Sequence, residues 1–306
     1  MASEITAALE VAGVERRRLL RSKVLGDYWA LTKPEVNFLI AITTFAGFYL
    51  ASPIQPFPFM LLIHTLLGTL LVAGGTGTLN QYIERHFDAQ MRRTARRPLA
   101  SGRIEASRAL WFGISLALAG TVYLAVAAGG LSCLLAAVTL LSYLFLYTPL
   151  KRRTPLCVLV GAFPGAMPPL IGWAAARGRL DPEAWVLYAM LFLWQFPHFM
   201  SIAWMYREDY SRASYLVLPD GELRDRFVVW QTLVPSLALI GVSMFPTIIG
   251  QSGLVYSFFA LLFGSVFFYY SGRFAFRKSN VAARQLLAAS IVYLPASFIL
   301  MILSKK

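Results

Sequence analysis

Six windows of the chain contain no Asp, Glu, Lys or Arg: residues 36–83, 109–150, 154–176, 184–206, 227–272 and 285–304. A helix needs about 20 apolar residues to cross the hydrocarbon of a bilayer. The windows of 48, 42 and 46 residues therefore hold two spans each, and those of 23, 23 and 20 residues hold one each. The long windows divide where turn chemistry concentrates: Ser52-Pro53-Ile54-Gln55-Pro56-Phe57-Pro58, Gly129-Gly130 and Gly250-Gln251-Ser252-Gly253. The expectation is an all-α integral membrane protein of nine transmembrane helices lying in the lipid bilayer.

Only 14% of the residues are charged, against about 25% in ordinary soluble domains. The formal net charge of +13 invites a nucleic-acid reading, but its distribution argues against one. Nine spans put the termini on opposite sides. With the N-terminus cytoplasmic, 24 of the 28 Lys and Arg fall on the inner side, and only Arg177, Arg179, Lys305 and Lys306 fall outside. The positive-inside rule favours this orientation, so the basic excess is topogenic and no nucleic acid is needed to explain it. Cys133 and Cys157 sit in apolar runs without a partner pattern, which argues against a disulfide framework or a thiolate metal site. Residues 1–30 read as a cytoplasmic N-terminal segment and 31–306 as one nine-helix domain. The Arg16-Arg17-Arg18 run lacks the apolar core of a secretory signal and reads as an inner anchor, with a weak amphipathic pattern from Val14.

Chemistry concentrates between Asn80 and Arg103. Asn80, Glu84 and Asp88 stand four residues apart, and that spacing drifts only about 40° per step, so their acceptors share one face at the polar end of the second helix. Arg92, Arg93, Arg96 and Arg97 follow at once. Oxygen acceptors beside a basic cluster suit a divalent cation and a phosphate-rich ligand. Mg²⁺ bridges one or two carboxylates to substrate phosphates, and Arg92, Arg93, Arg97, Lys151 and Arg152 could hold diphosphate oxygens. Lys33, at the start of the first span, could reach the same anion or simply snorkel. The Gly74-Gly75-Thr76-Gly77-Thr78 run allows close helix packing or ligand approach, and lacks the lysine of a phosphate loop.

A second acidic pair, Glu208 and Asp209, closes the sixth span within Tyr206-Arg207-Glu208-Asp209-Tyr210 and could serve another ion. The fifth span is rich in breakers (Gly161, Pro164, Gly165, Pro168, Pro169, Gly172), which forecasts a kink covered by protein. Helices 2 and 6 both end in acids and helices 4 and 8 in basic pairs, as a duplicated four-helix unit with a ninth helix appended would give. Tyr147, Trp194, Phe196, Phe199 and Tyr206 are candidates to stabilise a carbocation or are ordinary packing. His198 is open between a ligand or acid–base role and a hydrogen-bonded core histidine; His64 and His86 lean to the bland reading.

The stretch at 80–98, N-x-x-x-[DE]-x-x-x-D-x-x-M-x-R-T-x-x-R-P, resembles the intramembrane prenyltransferase superfamily that makes quinones, chlorophylls and haem O. Within it, Met91, Arg93-Thr94 and Arg97-Pro98 look like the protohaem IX farnesyltransferase branch. The likeness continues through Leu31-Thr32-Lys33-Pro34, Tyr147-Thr148-Pro149-Leu150-Lys151-Arg152, the run from Gly165 to Trp173, and Trp194-Gln195-Phe196-Pro197-His198-Phe199. The resemblance implies nine helices around a central cavity open to the cytoplasm, in a bacterial inner membrane. It also implies Mg²⁺-assisted ionisation of farnesyl diphosphate and transfer of farnesyl to a vinyl group of haem B. Asn80, Glu84 and Asp88 carry over as the first metal motif; the second, Tyr206-Arg207-Glu208-Asp209-Tyr210, lacks the fuller D-x-x-x-D of the quinone branch, which leaves open which oxygens of Glu208 and Asp209 would meet a second ion. Tyr206 and Asp209 join the catalytic set, Lys151 and Arg152 contact diphosphate, and His198 approaches haem. A membrane partner in terminal oxidase assembly is a further expectation. Glu84 stands where many relatives have Asp, His86 where an acid is common, and Glu35 where a base is usual.

The sequence admits two other readings. A prenyltransferase for a quinone or other aromatic precursor is disfavoured by the His198 block and the Met-x-Arg-Thr run. A transporter would place charged residues near mid-membrane in several helices, and the charge-free windows lack them.

Overall fold

The computed structural model describes residues 23–305; the Arg16–Arg18 anchor and the pattern from Val14 lie outside the described residues. Residues 23–31 are helical (α1) and lead into α2, Pro34–Ala51. There follow α3 (Phe59–Asp88), α4 (Ala106–Ala127), α5 (Gly130–Leu141) with a π-helical turn at Ser142–Tyr147 and α6 at Thr148–Leu150. Beyond these come α7 (Cys157–Gly165), α8 (Pro168–Arg177), α9 (Pro182–Met205), α10 (Arg207–Arg212), α11 (Glu222–Ile248), α12 (Leu254–Arg277) and α13 (Asn280–Leu303). Grouped by continuity, the described residues contain nine helical segments long and apolar enough to cross a membrane, and no strand. The nine-span expectation and its turns hold. Gly129, at φ 95°, begins the fourth span from a backbone geometry that favours glycine, and Pro34 and Pro182 open their helices where a missing N–H costs nothing.

Close crossings fix how the spans meet. A Cβ on Gly172 would lie 2.0 Å from Thr44 O, and one on Gly47 would lie 2.1 Å from Pro169 O, so α2 and α8 touch backbone to backbone. Gly75 meets α4 in the same way, 2.6 Å from Ala117 N, while Gly74 and Gly77 face Thr32. The small-residue run of the second span is therefore a packing seam, one of its two readings.

Breakers act as the sequence forecasts in the fifth span, which divides at Ala166-Met167 ahead of Pro168 and Pro169. Gln195 of α9 donates from Nε2 to Ala162 O at 3.1 Å and so binds the kinked span to the sixth. The π-turn of the fourth span was not forecast. Its extra residue per turn is filled by Thr148, whose hydroxyl donates to Tyr143 O at 2.8 Å, and Thr148 is thereby turned toward α3.

Candidate active site

The last two turns of α3 carry Asn80, Glu84 and Asp88, all buried (1%, 5% and 1% exposed). Three acceptors cannot be buried on one helix face without partners, and each has a basic one from another segment. Lys33 Nζ donates to Asn80 Oδ1 at 2.6 Å, while Asn80 Nδ2 donates to Thr148 Oγ1 at 3.2 Å. Lys151 Nζ lies 2.8 Å from Glu84 Oε1, and Arg97 Nη1 lies 2.7 Å from Asp88 Oδ2. The ladder thus gathers the first, second and fourth spans and the arginine loop at one end of the bundle.

Lys33 has left-handed backbone geometry, φ 55° and ψ 63°. The residue before a proline is kept out of the right-handed helical region, and left-handed geometry costs a non-glycine residue roughly 1–2 kcal/mol. The Asn80 contact, the short helix start at Pro34 and the packing of Thr32 on Gly74 hold it there. Burial, reinforced by the nearby Arg97 charge, pushes the Lys33 ammonium down to about 7. Burial also works against Lys151, but the Glu84 carboxylate overcomes it and holds Lys151 well above the usual lysine value.

The opposite side is built by α10 and the loop after it. Asp209 is buried and its two oxygens accept from the backbone N–H groups of Arg92 and Arg93, each at 3.3 Å. Arg212 closes an ion pair on the same carboxylate. Asp209 therefore braces the arginine loop, while its neighbour Glu208 is exposed. The Arg93 guanidinium covers the Tyr206 ring at 5.1 Å, and Arg152 covers Phe87 at 4.3 Å. Arg92 is exposed. A cavity of about 380 Å³ lies beside Glu84, bounded by Phe87, Thr148, Arg152 and Tyr215. Burial raises the Tyr215 hydroxyl above its ordinary value.

Among the described residues no three His, Cys, Asp or Glu side chains converge as a ready metal cage. The donor set still suits a hard cation that keeps waters and shares a ligand's phosphates, because such an ion needs only one or two carboxylates. Asp88 Oδ1 is buried without a partner, an oxygen that the protein leaves unsatisfied.

His198 lies apart from this cluster, within α9, and contacts Trp194, Phe199 and Ser290 of α13. His64 pairs with Tyr123 at 2.6 Å, and His86 is exposed. Sequence reasoning missed Thr148, Arg212, Tyr215 and Ser290. Thr148 was visible inside the Tyr-Thr-Pro-Leu-Lys-Arg block; a lone serine of an apolar span, such as Ser290, carries no sequence signal.

The fold and this end of it define a polytopic membrane protein with an acidic ladder, three countering cations and an adjoining pocket. The family model for the UbiA prenyltransferase family matches residues 40–301. The chain belongs to the UbiA prenyltransferase family. It is 48% identical over 287 residues to the protoheme IX farnesyltransferase of Solibacter usitatus, covering 91% of this chain and 98% of that protein. With the protoheme IX farnesyltransferase of Koribacter versatilis it shares 40% identity over 293 residues, 93% of this chain and 94% of the relative. A structure of digeranylgeranylglyceryl phosphate synthase superposes with a TM-score of 0.74 at 17% identity, covering 92% of this chain and 98% of that one. A UbiA homolog from Archaeoglobus fulgidus bound to GPP and Mg²⁺ gives a TM-score of 0.65 at 15% identity, covering 90% and 99%.

Proposed function

We propose that the chain is a protohaem IX farnesyltransferase, joining C1 of farnesyl diphosphate to the terminal carbon of a haem B vinyl group. The C1–O bond breaks, a C–C bond forms, and water adds its oxygen to the inner vinyl carbon with loss of a proton. Haem O and diphosphate are the products. The observation that carries this reading is the buried ladder of Asn80, Glu84 and Asp88, each side chain held by a cation from a different segment. The names of the full-length relatives supply the acceptor.

Asn80, Glu84 and Asp88 would hold Mg²⁺, with Asp209 and Glu208 as candidates for a second ion. The cation would supply charge neutralisation that makes diphosphate a competent leaving group. Lys33, Lys151 and Arg97 stand where they can exchange carboxylate or amide oxygens for diphosphate oxygens. Arg92, Arg93 and Arg152 offer further guanidinium groups at the mouth. Tyr147, beneath Lys151, and Tyr206, beneath Arg93, present ring faces that favour positive charge. Trp194 and Phe196 are buried in the apolar bundle, where a carbocation would meet no water.

The membrane is taken to be the bacterial inner membrane with this end cytoplasmic, since 24 of 28 Lys and Arg lie on that side. Residues 31–306 would form the catalytic domain, and a terminal oxidase assembly protein is a candidate partner. The test is diphosphate release from farnesyl diphosphate and Mg²⁺ by the purified protein. Release that requires haem B supports the reading; release that requires a phenolic acid and ignores haem overturns it.

A further inference from the structure

Charge is scarce at the end of the bundle opposite the acidic ladder. The sequence assigns to it four of the 28 Lys and Arg (Arg177, Arg179, Lys305 and Lys306) and two acids, Asp181 and Glu183. The structure describes all of these but Lys306, and every one of the five lines a single cavity of about 710 Å³. The cavity lies where α2, α8, α11 and α13 end and α9 begins, and it shares no lining residue with the pocket beside Glu84.

Two of the cations are fixed to the same helix end. Arg177 Nε donates to Ala51 O at 2.6 Å, while Lys305 Nζ donates to Tyr49 O at 2.6 Å and also to Ser52 O. Capping the last carbonyls of α2 accounts for these contacts. It leaves both Nη groups of Arg177 without an acceptor among the described residues. Burial, and then the neighbouring Arg177 charge, lower the Lys305 ammonium below its ordinary value, so the two cations are close enough to repel. An anion set between them removes that repulsion.

The remaining polar groups divide between those already paired and those left free. Arg179 holds Asp181 at 2.7 Å, and the Trp173 indole N–H donates to the same carboxylate at 3.1 Å. Glu183, in the first turn of α9, has no ion-pair partner among the described residues. Gln251 adds an amide to the lining, and both its oxygen and its nitrogen are buried without a partner. A buried amide is rarely left so unless a ligand or water meets it. Ile54 and Ile249 are exposed among the lining residues, so the cavity has an apolar rim.

The ligand that matches this lining carries an anion and a cation on one short head, with an apolar body beyond it. A purely anionic head would satisfy the two cations and leave Glu183 facing like charge. We propose that the cavity binds the phosphoethanolamine head of a membrane phospholipid, with phosphate on Arg177 and Lys305 and the ammonium on Glu183. The Gln251 amide closes on the head, and the acyl chains leave past Ile54 and Ile249. Such a lipid would tie the ends of α2, α8 and α13 to the start of α9 and stabilise that end of the bundle. The site is independent of the reaction proposed at the acidic end.

The test adds lipids one at a time to the delipidated full-length protein in detergent. It reads retention by native mass spectrometry and the melting temperature. Phosphatidylethanolamine should bind and raise the melting temperature. Phosphatidylcholine, whose trimethylated head has no N–H to donate, should bind about tenfold more weakly, and so should phosphatidylglycerol, which has no cation. Glu183→Gln should erase the preference for ethanolamine over glycerol. Arg177→Gln should weaken binding of all three lipids, but it also uncaps α2. Gln251→Met leaves the caps in place and should still weaken phosphatidylethanolamine binding about tenfold. Equal binding of the three lipids by wild type overturns the proposal, as does an ethanolamine preference that survives both Glu183→Gln and Gln251→Met. Soluble phosphoethanolamine that binds and stabilises as well as the lipid would assign the site to a soluble ligand and overturn the lipid reading.

Discussion

Lys151 Nζ lies 2.8 Å from Glu84 Oε1, joining the end of the fourth span to the end of the second across the mouth of the site. Both side chains are largely shielded, at 12% and 6% exposure. Breaking a buried pair by removing one partner strands the other charge at a cost of about 3–5 kcal/mol. Lys151→Met should therefore lower the melting temperature in detergent and abolish turnover. The double variant Lys151→Met, Glu84→Gln should regain most of the stability and none of the activity. Equal instability in the single and double variants, read by thermal unfolding, would show that the pair is not coupled.

Asp88 separates charge from fold. Its Oδ2 takes Arg97 while Oδ1 is buried without a partner. Asp88→Ala and Glu84→Ala should each abolish turnover while folded protein still accumulates in the membrane, Glu84→Ala with a lowered melting temperature because it strands Lys151. Near wild-type rates in both would reduce these acids to interfacial caps.

The lysine before Pro34 gives a pH signature. Its folded value of about 7 lies below the ordinary 10.5, so between those pH values the unfolded chain binds more protons than the folded one. Stability then rises as pH is raised from about 7 toward 10.5. Lys33→Met should flatten that rise in the substrate-free protein, measured by thermal unfolding across the range. Lys151, held above its ordinary value, keeps its proton in the folded protein and opposes the rise only as the pH nears 10.5, where the unfolded chain begins to lose its own.

Backbone contact between α2 and α8 predicts intolerance of a single methyl. A Cβ at Gly172 or Gly47 would meet main-chain oxygen at 2.0–2.1 Å. Gly172→Ala and Gly47→Ala should each prevent accumulation of folded protein. Gly130→Ala, where a Cβ meets nothing within 4 Å, should be tolerated.

The spans were legible because an uncharged run of 20 residues has few other homes. The ladder was legible because a four-residue spacing needs only helical geometry to align it. Its partners were not: Lys33 lies 47 residues from Asn80 and Lys151 lies 67 from Glu84, and no local rule pairs residues so distant. Asp209 was recognised as an acid at the right helix end, but its grip on the Arg92 and Arg93 amides depends on how a loop folds back. The π-turn that aims Thr148 at Asn80 leaves no mark in composition, and Ser290 differs from other buried serines only in what faces it.

The most direct measurement supplies the purified protein with farnesyl diphosphate, Mg²⁺, haem B and a phenolic acid together, and analyses the extracted pigments by mass spectrometry. A haem farnesyltransferase yields haem B increased by one farnesyl group and one hydroxyl, with the phenolic acid untouched and no product from the Glu84→Ala protein. Prenylated phenolic acid beside unchanged haem B would contradict it.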